Sequence, residues 1–239
     1  MKHLLIILSL FLFSFTVISC SDEKEESTEN SGTTTNTVDD TTKFVGVGES
    51  VTIVRSTDNG SSFDNVTSPT SNHLWGVGFG NNTFVGVGTS GTIVRSTDNG
   101  SSFSTVTSPT SNDLRGVGFG NNTFLGVGTS GTIVRSTDNG SSFDNATSRT
   151  LNHLNGVVFG NNTFVGFDNY GNIVISTDNG TNWDNATFQT ENQLVGITFG
   201  NNTFVGVGYS GNIVRSTDNG TTWDNATSPT EKDLWGVGF

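Results

Sequence analysis

The chain has 239 residues, 22 acidic against 10 basic, for a formal net charge of −12. A nucleic-acid partner requires a basic footprint, and none is present: from Lys43 onward 15 acidic residues still outnumber 8 basic ones. Cys20 is the only cysteine, so the remainder has neither a disulfide nor a thiolate nucleophile and must be held by a packed core.

The N-terminus reads as a targeting segment. Lys2 precedes an apolar run from Leu4 to Ile18 that is short for a membrane span and suits a signal-peptide core. The run ends in Val17-Ile18-Ser19-Cys20, which resembles the bacterial lipobox. That resemblance implies that residues 1–19 are removed and that Cys20 is lipidated, each buried methylene adding about 0.8 kcal/mol to anchoring. An ordinary secretory signal with an incidental cysteine is the plainer reading.

Residues 20–42 carry this cysteine and a stretch rich in Ser, Thr, Glu and Asn. With so little apolar surface to bury, the stretch is expected to be a flexible tether with a reach of roughly 26 Å. Its start, Ser21-Asp22-Glu23-Lys24-Glu25-Glu26, is similar to the acidic stretch of surface-exposed lipoproteins in Bacteroidota-type bacteria. The expected location is the outer membrane, facing either the periplasm or the outside. Attachment then rests on the lipid, since an acidic domain is repelled by anionic headgroups.

Residues 43–239 repeat. Ser-Thr-Asp-Asn-Gly begins at Ser56, Ser96, Ser136, Ser176 and Ser216, always forty residues apart. Such a period marks a stack of supersecondary units. In the second and third copies the runs Thr92–Ser96, Ser102–Val106, Leu114–Phe119 and Thr123–Val127 are rich in Val, Ile, Phe and Thr and bounded by Gly, Asn and Ser. Asn99-Gly100 and Asn121-Asn122 predict tight hairpins, whose turns need two residues at positive φ. Four antiparallel strands per forty residues predict the blade of a β-propeller.

The Ser136–Phe143 segment matches the Asp-box, or BNR repeat: Ser-x-Asp-x-Gly-x-x-aromatic. The fourth and fifth copies carry Trp183 and Trp223 at the aromatic position. The chain therefore resembles Asp-box propellers, among them sialidases, other glycoside hydrolases, sortilin-like receptors and photosystem II assembly factors. The Asp and Gly of each box (Asp58, Gly60; Asp98, Gly100; Asp138, Gly140; Asp178, Gly180; Asp218, Gly220) are expected to build turns. Five identical turns on a periphery do not converge on one substrate, so no catalytic role is assigned to them.

The repeat begins with the second strand of a blade, at Phe44, and stops with a first strand, Leu234–Phe239. An all-β, five-bladed ring of four-stranded blades is expected, closed by pairing those two ends. The alternative is part of a propeller with six to eight blades.

The copies diverge in two loops expected to share one face. One column reads His73, Asp113, His153, Gln193, Asp233; two residues on it reads Trp75, Arg115, Asn155, Val195, Trp235. The other loop contributes Tyr170 and Tyr209. These aromatic, amide and charged groups, Val195 aside, are the candidate ligand-binding residues; drift in surface loops is the competing explanation. His73 and His153 stand two blades apart, which argues against a metal site.

The expectation is a monomeric, non-catalytic binding or scaffolding module for a glycan or protein, with no cofactor. The resemblance also allows a sialidase-like glycoside hydrolase. Against it, Arg55, Arg95, Arg135 and Arg215 recur at one repeat position and Tyr170 and Tyr209 lack an assigned Glu partner, although Asp113 with Asp233 could form an acid/base pair. A photosystem-type assembly factor is the third option, weakened by the short acidic chain.

Overall fold

The computed structural model describes residues 43–239 apart from residues 169, 190 and 191. The expected signal peptide and tether lie outside the described residues. Five antiparallel sheets follow one another along the chain. The first has three strands: β1 (Phe44–Val47), β2 (Ile53–Ser56) and β3 (Asp64–Asn65). The second comprises β4 (Leu74–Gly80), β5 (Thr83–Gly88), β6 (Ile93–Ser96) and β7 (Ser104–Val106). The third comprises β8 (Leu114–Gly120), β9 (Thr123–Gly128), β10 (Ile133–Ser136) and β11 (Asp144–Asn145). The fourth comprises β12 (Leu154–Gly160), β13 (Thr163–Asp168), β14 (Asn172–Ser176) and β15 (Asp184–Gln189). The fifth comprises β16 (Leu194–Gly200), β17 (Thr203–Gly208), β18 (Ile213–Ser216) and β19 (Asp224–Asn225). Each pairs in sequence order, so the expected five-bladed propeller architecture is present.

Hairpins within a blade follow the turn chemistry. Asn81 and Asn82 both hold positive φ, as do Asn99 and Gly100, so these links take the twist that antiparallel neighbours need. Outer strands are short where a Ser hydroxyl receives the amide of the residue two further on, as Ser68 Oγ does from Thr70 and Ser148 Oγ from Thr150. The fourth blade has Phe188 at that position, without a hydroxyl, and β15 runs on to Gln189.

The core lies between blades rather than inside them. Val85, Val87 and Ile93 of the second blade pack with Leu114, Phe124, Val134 and Phe143 of the third. Leu125, Val127 and Ile133 meet Leu154, Phe164, Val174 and Trp183 in the same way one blade further on. The aromatic residue after each Ser-Thr-Asp-Asn-Gly turn thus plugs into the preceding blade. Phe63 shows the converse: among the described residues no blade stands before its own, and it is 48% exposed.

First strands of successive blades, β4, β8, β12 and β16, stand side by side. Glycines allow that approach. A Cβ on Gly116 would lie 3.0 Å from the Cα of Gly156, and one on Gly80 would fall 2.1 Å from the Phe119 ring. Each such ring also tilts against the first Phe of its own second strand, with centroids 4.6 Å apart for Phe119 and Phe124.

The expected closure is not formed. Leu234–Phe239 belongs to no strand, and the first sheet stays three-stranded without it. The reason is the size of the step between blades. The Leu234 amide donates to Gly208 O at 2.9 Å, as the Leu74 amide donates to Gly48 O, and the Phe239 ring covers Gly200 as Phe119 covers Gly80. The last segment therefore occupies the next inner-strand position after the fifth blade. Five steps of this size do not carry it to β1. Phe239 is 90% exposed as a result, and nothing lies within 4 Å of a Cβ placed on Gly238.

Gly116→Ala should lower stability by about 1–3 kcal/mol, because backbone rather than a yielding side chain blocks the added methyl. Urea unfolding followed by fluorescence measures this; an unchanged midpoint would refute the packing account.

Candidate functional site

Antiparallel strands alternate their connections between two ends, which separates the molecule into two faces. One face carries the Ser-Thr-Asp-Asn-Gly turns. In the third blade Ser136 Oγ donates to Asp138 Oδ1 at 2.7 Å and accepts the Gly140 amide at 2.9 Å. Asp138 also accepts the Ser142 amide at 3.0 Å and the Ser142 hydroxyl at 2.6 Å. These donors favour the charged form. The Ser142 hydroxyl foremost lowers the Asp138 carboxyl to about 2, and the Ser62 hydroxyl does the same for Asp58. Burial raises Asp98, but the Ser102 and Ser96 donors outweigh it. Asp218 is lowered by the Thr222 hydroxyl and amide. Each carboxylate is consumed by its own turn.

The arginines before these turns act between blades. Arg55 Nε donates to the Asn99 carbonyl at 2.6 Å, Arg95 to Asn139 at 2.8 Å and Arg135 to Asn179 at 2.7 Å. Each clasps the turn of the following blade. Ile175 takes the place in the fourth blade, and Arg215 of the fifth is exposed, its guanidinium without a hydrogen bond among the described residues.

The opposite face holds the divergent loops, and the structure brings both sets together. His73 Nδ1 accepts the Ser50 amide at 3.0 Å, and His153 Nδ1 accepts that of Ser130 at 3.0 Å. Asp113 Oδ1 accepts the Ser90 amide at 2.8 Å, and Asp233 Oδ1 that of Ser210 at 2.9 Å. Ser50, Ser90, Ser130 and Ser210 all have φ between 51° and 56°. The column thus supplies one acceptor to a left-handed turn, which explains why His and Asp interchange there. The Gln193 carbonyl accepts the Tyr209 amide at 3.1 Å, the same backbone contact that His73 and Asp113 make to Thr89 and Thr129.

In the fourth blade the acceptor is Asp168, which lies outside both divergent columns. It is fully buried and accepts the Tyr170 amide at 2.8 Å, the Asn172 amide at 2.9 Å and the Asn152 side chain at 2.7 Å. The signal was present: Asp stands where the other copies have Gly48, Gly88, Gly128 and Gly208. Tyr170 is left 60% exposed.

The second column stays available. Trp75, Arg115, Asn155 and Val195 stand second in β4, β8, β12 and β16, and Trp235 holds the same repeat position in the last segment, so the five follow one another along the rim. Arg115 Nη1 donates to Asn155 Oδ1 at 3.0 Å. Tyr209 meets Trp235 edge-on, with centroids 5.3 Å apart, and Trp235 is 56% exposed. Beside the fourth blade an open cleft of about 380 Å³ is lined by Arg149, Leu151, Asn152, Ile173 and Asn185. The Arg149–Asp184 ion pair next to it, at 3.2 Å, is largely exposed and contributes little to stability.

Arg135→Ala should cost about 1–2 kcal/mol, whereas Arg215→Ala should change stability little; comparing the two in urea tests the clasp. The turn carboxyls lie below the ordinary carboxylate range when folded. The stabilisation from Asp58, Asp98 and Asp138 is therefore complete above about pH 4 and is lost as pH falls through about 2. Thermal melts should hold steady from pH 7 to 5 on this account and drop between pH 4 and 2, with a smaller drop in Asp138→Asn.

No family model matches the chain, and no curated protein matches it. Solved structures do. The computationally designed Ika8 protein is 14% identical over 82% of this chain and 62% of that one, with a TM-score of 0.64. The RRP9 WD40 repeats are 8% identical over 77% of this chain and 60% of that one, also at 0.64. YCF48 from Cyanidioschyzon merolae is 14% identical over 79% of this chain and 83% of that one, at 0.54. The chain thus spans about three fifths of the length of Ika8 and of the RRP9 repeats. At these identities the likeness is one of fold: the chain is built as a β-propeller.

Proposed function

We propose that this protein is a lipid-anchored envelope protein whose propeller is a non-catalytic recognition module, taking a glycan or an exposed polypeptide along the rim. The observation that carries the reading is the division of labour between the two loop columns. His73, Asp113, His153 and Asp233 hold turns, while the row from Trp75 through Arg115 and Asn155 to Trp235, with Tyr209, offers stacking area and a few polar groups. A ligand bound there meets aromatic faces flanked by one cation and one amide.

Hydrolysis has less support. Asp113 and Asp233 each accept a serine amide from the left-handed turn of the preceding blade segment, Ser90 and Ser210, so each is engaged with its own turn rather than with the other carboxylate. The Asp-box reading of the repeated turns is supported by carboxylates wholly engaged in local hydrogen bonds. An assembly-factor role is weakened because three of the arginines that could build a basic surface clasp neighbouring blades.

A glycan array probed with residues 43–239 should give a hit that weakens at least tenfold in Trp75→Ala or Arg115→Ala and persists in Asp138→Asn. Binding unchanged in both rim variants, or turnover of a fluorogenic sialoside, would overturn the reading. Anchoring is tested separately: Cys20→Ala should move the protein from the membrane to the soluble fraction.

A further inference from the structure

The loop that leads from the third blade into the fourth is pinned at both ends and borders a cleft between them. At one end Thr147 bridges to Asn182 of the fourth blade. At the other the Asn152 side chain donates to the buried Asp168 at 2.7 Å. The cleft of about 380 Å³ has the buried Ile173 and Ala186 as its apolar floor. The junction before it, between the second and third blades, is tied across at the same place. There Asn145 Nδ2 donates to the Pro109 carbonyl at 3.3 Å and joins outer strand to loop. Asn185 holds that strand position in the fourth blade, but its counterpart in the loop is Arg149, which turns to Asp184 at 3.2 Å instead. Among the described residues Asn185 makes no such tie, and it lines the cleft.

The polar groups around this cleft suit hydroxyls. Asp168 Oδ2 accepts from Asn152 Nδ2 at 2.7 Å and from Asn172 Nδ2 at 2.8 Å. Both amides are thereby fixed by their nitrogens, and their oxygens are the atoms left to accept. Asn185 can donate as well as accept. Next to the cleft, the Arg149–Asp184 pair sets a cation beside a carboxylate. Neighbouring hydroxyls of one ring answer such a pair, one donating to the carboxylate while the next accepts from the guanidinium. The pair is neutral as a unit, which favours an uncharged ligand. A sugar ring has an apolar C–H face for the floor and a hydroxylated edge for the amides. Leu151, 88% exposed where the first two copies carry Ser71 and Ser111, adds apolar surface at the opening. An extended peptide would instead be met by a row of backbone N–H and C=O groups, whereas side chains supply the polar atoms here.

We propose that this cleft between the third and fourth blades is a second binding site, separate from the rim row, for a neutral hexose unit of a glycan. Asn152, Asn172 and Asn185 take its hydroxyls, Ile173 and Ala186 take its C–H face, and Arg149 with Asp184 takes a vicinal pair of hydroxyls. Asp168 is a positioning residue, since it touches the amides and not the sugar. The site stands whether or not the rim row binds a ligand of its own.

The test uses the full chain in a detergent without a sugar headgroup. Saturation-transfer NMR is recorded with methyl α-glucoside, methyl α-mannoside and N-acetylglucosamine in turn. Transfer to the ring C–H protons of at least one of them is expected. Asn185→Ala should lower it by about fivefold, the loss of one hydrogen-bonding partner. The double variant Arg149→Pro, Leu151→Ser brings the loop to the residues that the second copy has at Pro109 and Ser111, so it should fold, as circular dichroism checks, and should lose transfer at least as far. No transfer to any of the three sugars would overturn the proposal, and so would equal transfer in both cleft variants. Loss in Trp75→Ala alone would place the sugar on the rim, and transfer to tetra-alanine in place of the sugars would make the cleft a peptide site; either result refutes the assignment.

Discussion

The repeated blade-to-blade junction is the constraint on which everything else here depends. A blade of four short strands has apolar side chains on both sides and cannot bury either alone. Its middle strand is buried along its whole length only when a blade stands on each side, as β9 and β13 show. The junction combines an apolar cluster, an aromatic plug from the Ser-Thr-Asp-Asn-Gly turn, glycine contacts between inner strands and, at three of the four junctions, an arginine clasp. Together these fix the angular step. The step in turn decides where Leu234–Phe239 comes to rest, and that position is not on β1.

The two faces have different duties for the same reason. The face with the aspartate turns sustains the junctions, since every plug and clasp departs from it. Its carboxylates are saturated with local donors and carry no free chemistry. The opposite face contributes less to the junctions, so its loops tolerate variety. Even there one column must present a hydrogen-bond acceptor to a left-handed serine, and the freedom is narrower than the residue names suggest. The rim row of Trp75, Arg115, Asn155, Val195 and Trp235 is under no such local demand, which is why recognition is assigned to it.

Much of the architecture was legible because the determinants are local and repeated. Asn-Gly and Asn-Asn turns announced the hairpins, and Val, Ile and Phe runs announced the strands, within one or two residues of their ends. Ring closure was not legible. A strand count shows that the ends are complementary, but the angle between blades arises from glycine and phenylalanine contacts across forty residues, and no local pattern reports it. The columns of the varied face were visible as columns. Their roles were not, because His and Asp look like ligand-binding residues until Ser50 and Ser90 are seen donating to them. Asp168 was visible as a substitution for glycine, yet its burial beside Asn152 and Asn172 needed coordinates.

The sameness of the junctions has an evolutionary corollary. Because each unit recognises its predecessor and successor by near-identical surfaces, recombination that duplicates or excises one forty-residue module leaves every surviving seam intact. Copy number can then drift in a lineage at little thermodynamic penalty, while the rim inherits a new assortment of side chains each time.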